Sequence, residues 1–454
     1  MNEKIAQQQT IIPTNLYTGT PGKALNFEAI AFFAASGFFP ENDTYWKQGK
    51  WDALDFEQQP WHYSPVARSL ETVVDEFADL FHKIVAEQTR GKKAILALSG
   101  GLDSRTLAVA MQNIGSKPHT YSYRFAGSFE ETYYGKAMAN ALGWEFDERV
   151  IPPGYLWGKI EEAGKINKCY AEFTHARQVA VAEEMSTKGD IWLLGHWGDV
   201  LFDDMGIATD TTFEQQVQSL YKKVLKKGGK ELAADLWKAW GRSGDFETHL
   251  AQRLNTMHER INIADPNARV RAFKSLYWAT RWTSTNLNYF SQYKPIALPY
   301  YDNRMCEFIM TVPEEHLAAR QIQIAYIKKY SPQLAAIPWQ AKAPYNLFDA
   351  HKHLTASHLP YRIANKTKRL FNEKLRKKKL IQRNWEIQFL GAENDAELRK
   401  WLFDNPAFHQ LVPKALVEKY YQKFQTGDQV YWSHPLSMLL TLSVFAKQHE
   451  FEVQ

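Results

Sequence analysis

AILALSGGLDSRTLAVA (94–110) is the stretch that decides the fold. Its first half is apolar without polar alternation, the pattern of a parallel strand buried on both faces. The run breaks at Ser-Gly-Gly-Leu-Asp-Ser, and a second apolar run follows at helical spacing, which predicts a helix over 103–115 ending at Gly115. A parallel strand delivers its C-terminal end to the crevice where open α/β sheets bind ligands. The helix that follows offers unpaired N–H groups and positive partial charge, an anion site. Gly100 and Gly101 let backbone approach an anion closely, and Ser99 and Ser104 add hydroxyl donors. Asp103 would repel that anion unless a hard cation such as Mg²⁺ lay between them. The spacing fits neither a Walker A loop nor the dinucleotide G-x-G-x-x-G.

The flanking sequence repeats the alternation. SLETVVDEFADLFHKIVAEQT (69–89) and EETYYGKAMANALGW (130–144) read as helices, while KAILALS (93–99), HTYSYRF (119–125), FDERVIP (146–152) and DIWLLG (190–195) read as strands. Strand and helix in turn predict an α/β unit with a parallel sheet and right-handed crossovers. From about residue 213 the pattern is mainly helical, and LSMLLTLSVFA (436–446) reads as a buried helix too short to span a bilayer. Residues 1–70 are rich in aromatics and turn signals, which predicts short strands and turns. The expected architecture is a parallel-sheet nucleotide-binding domain over 71–345, a helical extension over 346–454 and a short β-rich segment over 1–70.

With 45% hydrophobic and 14% aromatic residues in 454, the chain is a packed protein, not a disordered one. Cys169 and Cys306 are too few for a disulfide framework or a usual zinc site, so a reducing cytoplasm is the expected compartment. The first fifteen residues lack the apolar core of a signal peptide. Charge is uneven. Residues 362–383 hold ten Lys or Arg and one Glu, a net +9 against +5 for the whole chain, so the remainder is mildly acidic. Leu370, Phe371, Leu375, Leu380 and Ile381 in that segment suggest a helix with one seated face. Two readings stand: a solvated basic helix, or a dock for an acidic partner such as a leader peptide, a carrier protein, an anionic glycan or nucleic acid, the last ranked low for want of an aromatic-rich RNA motif.

SGGLDS resembles the pyrophosphate loop of ATP pyrophosphatases, and its Leu102 makes it most similar to that of asparagine synthetases and their relatives. Three later segments carry the same resemblance in order and spacing. GHWGDVLFDD (195–204) is similar to the family's G-E-G-A-D-E-L-F-G-G, LPYYDNRMCEFIMTVPEEHL (298–317) to its P-F-L-D segment, and IPWQAKAPYN (337–346) to its R-x-K segment. The resemblance covers roughly 70–345, and residues 28–60 resemble the tail of the family's glutaminase domain.

The resemblance implies the adenine nucleotide alpha hydrolase-like (PP-loop) fold. It implies ATP held by Leu98, Ser99, Gly100, Gly101, Asp103, Ser104, Leu194 and Gly195, with Mg²⁺ shared by Asp103 and Asp199. It gives Lys342 the role of neutralising charge on the phosphates and the tetrahedral centre. His196 departs from the family's Glu, at a position that is Tyr in β-lactam synthetases. A neutral His there could take the proton of an attacking amine, given an ordinary pKa of about 6.5. Position 2 is Asn rather than a catalytic cysteine, so the chain is expected not to make ammonia from glutamine. The implied activity is adenylation of a small-molecule or peptide carboxylate, with AMP and pyrophosphate as products, and transfer to an amine, as in β-lactam synthetases and lasso-peptide cyclases. A nucleotide-binding scaffold without turnover is the alternative. Carboxylate specificity is expected in loops 125–130 and 282–297.

Overall fold

Five parallel strands form the sheet that positions everything else: β1 (Ala94–Ala97), β2 (His119–Phe125), β3 (Phe146–Ile151), β4 (Ile191–Leu193) and β5 (Ile296–Ala297). Their order is β3-β2-β1-β4-β5. The computed structural model describes residues 22–49, 61–174, 176–375, 377, 380, 381 and 383–452. Leu96 of β1 registers with Thr120 on one side and Leu193 on the other. Strand order therefore reverses at β1, and the C-terminal ends of β1 and β4 lie side by side, the position where such sheets bind ligands.

Four helices matter to the site and its support: α1 (Phe27–Ser36), α2 (Leu70–Thr89), α3 (Asp103–Asn113) and α4 (Thr132–Leu142). The apolar stripe Val73, Phe77, Phe81, Ile84 of α2 is buried against the sheet, sharing a core with Ile95, Leu107, Tyr121 and Trp192. The expected α/β alternation of strands and helices over 69–152 is present, and residues beyond 213 are mainly helical. Pro435 does not break the buried C-terminal helix, Gln429–Gln448, which covers the stretch 436–446. Among the described residues no helix is long and apolar enough to cross a membrane.

Three expectations need correction. Residues 22–49 hold no strand, only isolated bridges and α1. FEAIAFFAAS is apolar on every side because nine of its ten residues are buried, so it shows no amphipathic period to read. Asn26 caps its start and Gly37, at φ +82°, ends it. This helix belongs to a second core built with the last sixty residues: Tyr45 stacks on Phe445 at 3.9 Å, and His434 Nε2 lies 3.0 Å from the Ala34 carbonyl.

Residues 282–291 are not a loop but part of the buried helix Thr280–Ser291. Their polar side chains bond back to their own helix: Thr285 and Asn286 both donate to the Trp282 carbonyl, at 2.8 and 2.7 Å. A polar run that satisfies itself in this way can be buried in a helix. The basic segment, lastly, forms a helix over Leu359–Lys374 that buries none of its residues. The seated face is absent, and Ile381 instead bridges to Ser128.

The sheet carries α4 at Gly135, where a Cβ would meet Ser122 Oγ and stand 2.9 Å from the Leu98 carbonyl. Gly→Ala inside a helix ordinarily stabilises by about 0.5–1 kcal/mol. Here Gly135→Ala is expected to destabilise by ~1–3 kcal/mol through overpacking, read as a lower urea midpoint.

Candidate active site

The loop Ser99–Leu102 leaves β1 and enters α3 at Asp103. Ser104 Oγ accepts from the Ser99 amide at 3.1 Å and lies 3.0 Å from Ser99 Oγ, so the two serines close the turn on themselves. Some helices of this chain are capped by a side chain, as by Ser69, Thr212, Asp245 and Asp265, and others, α4 among them, are not. At α3 the capping position is Leu102, which has none to give. Its first-turn amides are therefore left for an anion. The buried Leu98 and Leu194 carry the loop and the end of β4, and can meet a ligand only through backbone.

The turn after β4 presses on that helix start. A Cβ on Gly195 would lie 3.2 Å from Asp103 Cβ, and one on Gly198 would meet the Asp103 carboxylate. These two small residues bring Asp199 beside Asp103, and Asp199 stays exposed. Burial raises the Asp103 pKa, the Arg320 charge opposes the rise, and the Asp199 charge adds to it. Arg320 Nη2 donates to Asp103 Oδ1, as does Gln323 Nε2 at 3.1 Å. Tyr300 Oη donates to the Asp103 carbonyl at 3.0 Å and accepts from Gln323 at 3.1 Å. Both side-chain bonds fall on Oδ1, which leaves Oδ2 and the Asp199 carboxylate as hard oxygen donors. That pair suits Mg²⁺, which keeps several waters and binds through one or two carboxylates plus phosphate oxygens. Among the described residues no cluster of three or more His, Cys, Asp or Glu could hold a metal by itself.

Lys342 lies on a strap that is tied to the loop through Gln340. The Gln340 amide donates to the Gly100 carbonyl at 3.1 Å, and the short turn Gln340–Lys342 follows. Gln340 stands where the R-x-K pattern has Arg, and a Cβ on Gly100 would collide with its side chain. The Lys342 ammonium lies 5.9 Å from the centre of the Trp339 ring. Arg105, fully buried on α3, fixes this strap by donating to the carbonyls of Leu334 (3.1 Å), Ile337 (2.9 Å) and Pro338 (2.9 Å).

His196 follows Gly195 with its ring edge-on to Phe290, centroids 6.3 Å apart. Burial pushes its pKa down to about 4, against the pull of Asp199. Nδ1 has no hydrogen-bond partner among the described residues. A neutral imidazole with a free ring nitrogen thus flanks the crevice. Lys274 stands near, on the π-helical turn Lys274–Ala279, its pKa lowered by burial and raised in part by Asp199.

The structure brings Asp199 beside both Asp103 and His196; Lys342 is tied to the loop only through its neighbour Gln340, and its ammonium contacts none of the three among the described residues. Sequence reasoning missed Arg105, Tyr300, Arg320, Gln323 and Lys274. Tyr300 was visible in LPYYD, but Arg320 and Gln323 lie in AARQIQ, which carries no local signal. The aspartate of LPYYD serves structure: Asp302 caps the helix Asn303–Met310 and binds Arg304 Nε at 2.8 Å.

The family model for asparagine synthase matches residues 76–446. No curated protein matches the chain. A crystal structure of NAD+ synthetase from Burkholderia pseudomallei is similar over 64% of this chain and 94% of that one, at 12% identity; its TM-score of 0.17 supports nothing further.

Two tests follow from the geometry. Arg105→Ala strands three carbonyls and should cost about 3 kcal/mol or more of stability. Hydrogen exchange across 334–342 should rise with it, above that of the sheet. For His196, the folded group stays neutral to about pH 4 while the unfolded imidazole takes its proton near its ordinary value of 6.5. The stability it confers is full above pH 6.5 and is lost as pH falls toward 4. His196→Asn should therefore show a shallower loss of thermal stability over that window than the wild type.

Proposed function

The chain belongs to the asparagine synthase family, and on that premise we propose that it is an ATP-dependent synthetase that adenylates a substrate carboxylate and passes the acyl group to an amine. The observation that carries the reading is the uncapped start of α3, with Asp103 and Asp199 on one side and the Lys342 strap bonded to the Gly100 carbonyl on the other. Anion donors, a carboxylate pair and a lysine on the strap tied to the loop suit departure of pyrophosphate from ATP as a carboxylate attacks the α-phosphorus.

The amides of Gly100, Gly101 and the first turn of α3 receive the phosphates that leave. Asp103 and Asp199 hold Mg²⁺, which when bound neutralises phosphate charge. Lys342 offsets negative charge as it develops, first on the phosphates and then on the tetrahedral carbon formed by the amine. His196 accepts the proton the amine must shed. A group with a pKa of about 4, the pull of Asp199 included, holds a proton weakly, and the negative charge of a bound nucleotide would raise its basicity. Gly195 and Gly198 keep the β4 turn close enough for Asp199 and His196 to face the same substrate.

One observation favours a second reading, a nucleotide-binding scaffold: Arg320 already neutralises Asp103 at Oδ1. The chain, incubated with ATP, pooled small carboxylates and amines, separates the two by its products. AMP and pyrophosphate, lost on Asp103→Ala by at least about a hundredfold, are expected for the synthetase. ADP and phosphate would overturn it. Nucleotide binding without turnover, also lost on Asp103→Ala, would establish the scaffold.

A further inference from the structure

The basic helix Leu359–Lys374 leaves its apolar side uncovered. On a 3.6-residue period Leu359, Ile363, Ala364, Leu370 and Leu375 share one side, and Arg362, Asn365, Lys366, Arg369 and Asn372 the other. An amphipathic helix on a globular protein points its apolar side inward. Here Arg362, Asn365, Lys366, Arg369 and Asn372 line a groove of about 820 Å³ shared with Phe129 and Glu130 of the body. The apolar side looks out: Leu359 is 53% exposed, Ile363 57%, Leu370 39% and Leu375 71%. Leu354, 86% exposed, borders the same recess as Leu359 and lengthens the patch.

We propose that this helix seats the protein on an anionic lipid bilayer, its apolar side in the acyl boundary and its lysines among the headgroups. Extent and charge select that occupant. The exposed apolar side runs from Leu359 to Leu375, the length of the helix, which suits a broad surface. Lys366 and Lys368 border the apolar arc and Lys374 sits within it, so cations flank the apolar patch on the helix itself, and the sequence that follows, 376–379, is Arg-Lys-Lys-Lys. Glu373 is the segment's one acidic residue, so almost no negative charge opposes an anionic surface. This is the composition of an in-plane interfacial helix, one that lies on a membrane without spanning it.

The test is co-sedimentation of the full chain with vesicles of phosphatidylcholine alone and with added phosphatidylglycerol. Binding is expected to the mixed vesicles only, to weaken with salt, and to fall about tenfold or more for Ile363→Glu/Leu370→Glu. The helix buries none of its residues, so that variant should keep its melting temperature. A second reading uses Ile363→Cys carrying an environment-sensitive dye; both native cysteines are buried, and emission should shift blue on mixed vesicles. No binding to mixed vesicles would overturn the proposal. So would binding indifferent to the double variant, which would mean charge alone, or a dimer in light scattering that the double variant dissociates, which would mean that a second copy covers the face.

Discussion

Asp103 is the point at which three remote segments meet. It sits on the first turn of α3, where the helix field favours negative charge. Arg320 and Gln323 reach it from one helical segment, Tyr300 holds its backbone from another, and Gly195 and Gly198 close over it from the end of β4. Each contact is short because the groups that surround the carboxylate are small, rigid or charged. Remove the side chain and Arg320 is left without its partner there, while the turn bearing Asp199 and His196 loses what it packs on. The crevice and the local fold thus rest on one carboxylate side chain.

That convergence explains what the sequence could and could not reveal. The strand β1 was legible because a buried parallel strand is a continuous apolar run, β2 through its Thr and aromatic residues between turn signals, and the loop because glycine, serine and aspartate in that order have few other uses between a strand and a helix. α1 was illegible for the opposite reason. A helix buried on all sides has no period, and its aromatics mimic strand composition. The polar run after Trp282 resembled a loop since the back-bonding that lets it be buried is a property of the helix, not of the letters. Arg320 acts over a separation of 217 residues from Asp103, and no local pattern records such a pairing.

The electrostatics of the crevice are balanced rather than basic. Asp103, Asp199 and Asp203 face Arg320 and Lys274 in a chain whose excess positive charge is gathered elsewhere. Burial raises the pKa of Asp203 as it does that of Asp103, with Arg320 opposing both rises. Ala319 and Arg320 adopt φ of +54° and +63°, a left-handed pair that costs L-residues about 1–2 kcal/mol each. The backbone is held in that shape by the bond its side chain makes, so position and charge of the guanidinium are set together.

Arg105 also constrains how far the two ends of the molecule can move apart. It pins residues 334–338 to α3, and the Gly100 carbonyl pins Gln340. From Lys342 the chain runs only seventeen residues before the basic helix begins, with Tyr345 Oη bound to Ser357 Oγ at 3.1 Å along the way. Burial and the nearby Tyr361 raise the Tyr134 pKa, and Tyr134 also borders Gly100. The outer helix and the phosphate loop are therefore two ends of one short tether. Thermodynamic reciprocity applies to any such pair: a surface that draws on the helix and so shifts the loop must be held more or less tightly when nucleotide fills the loop.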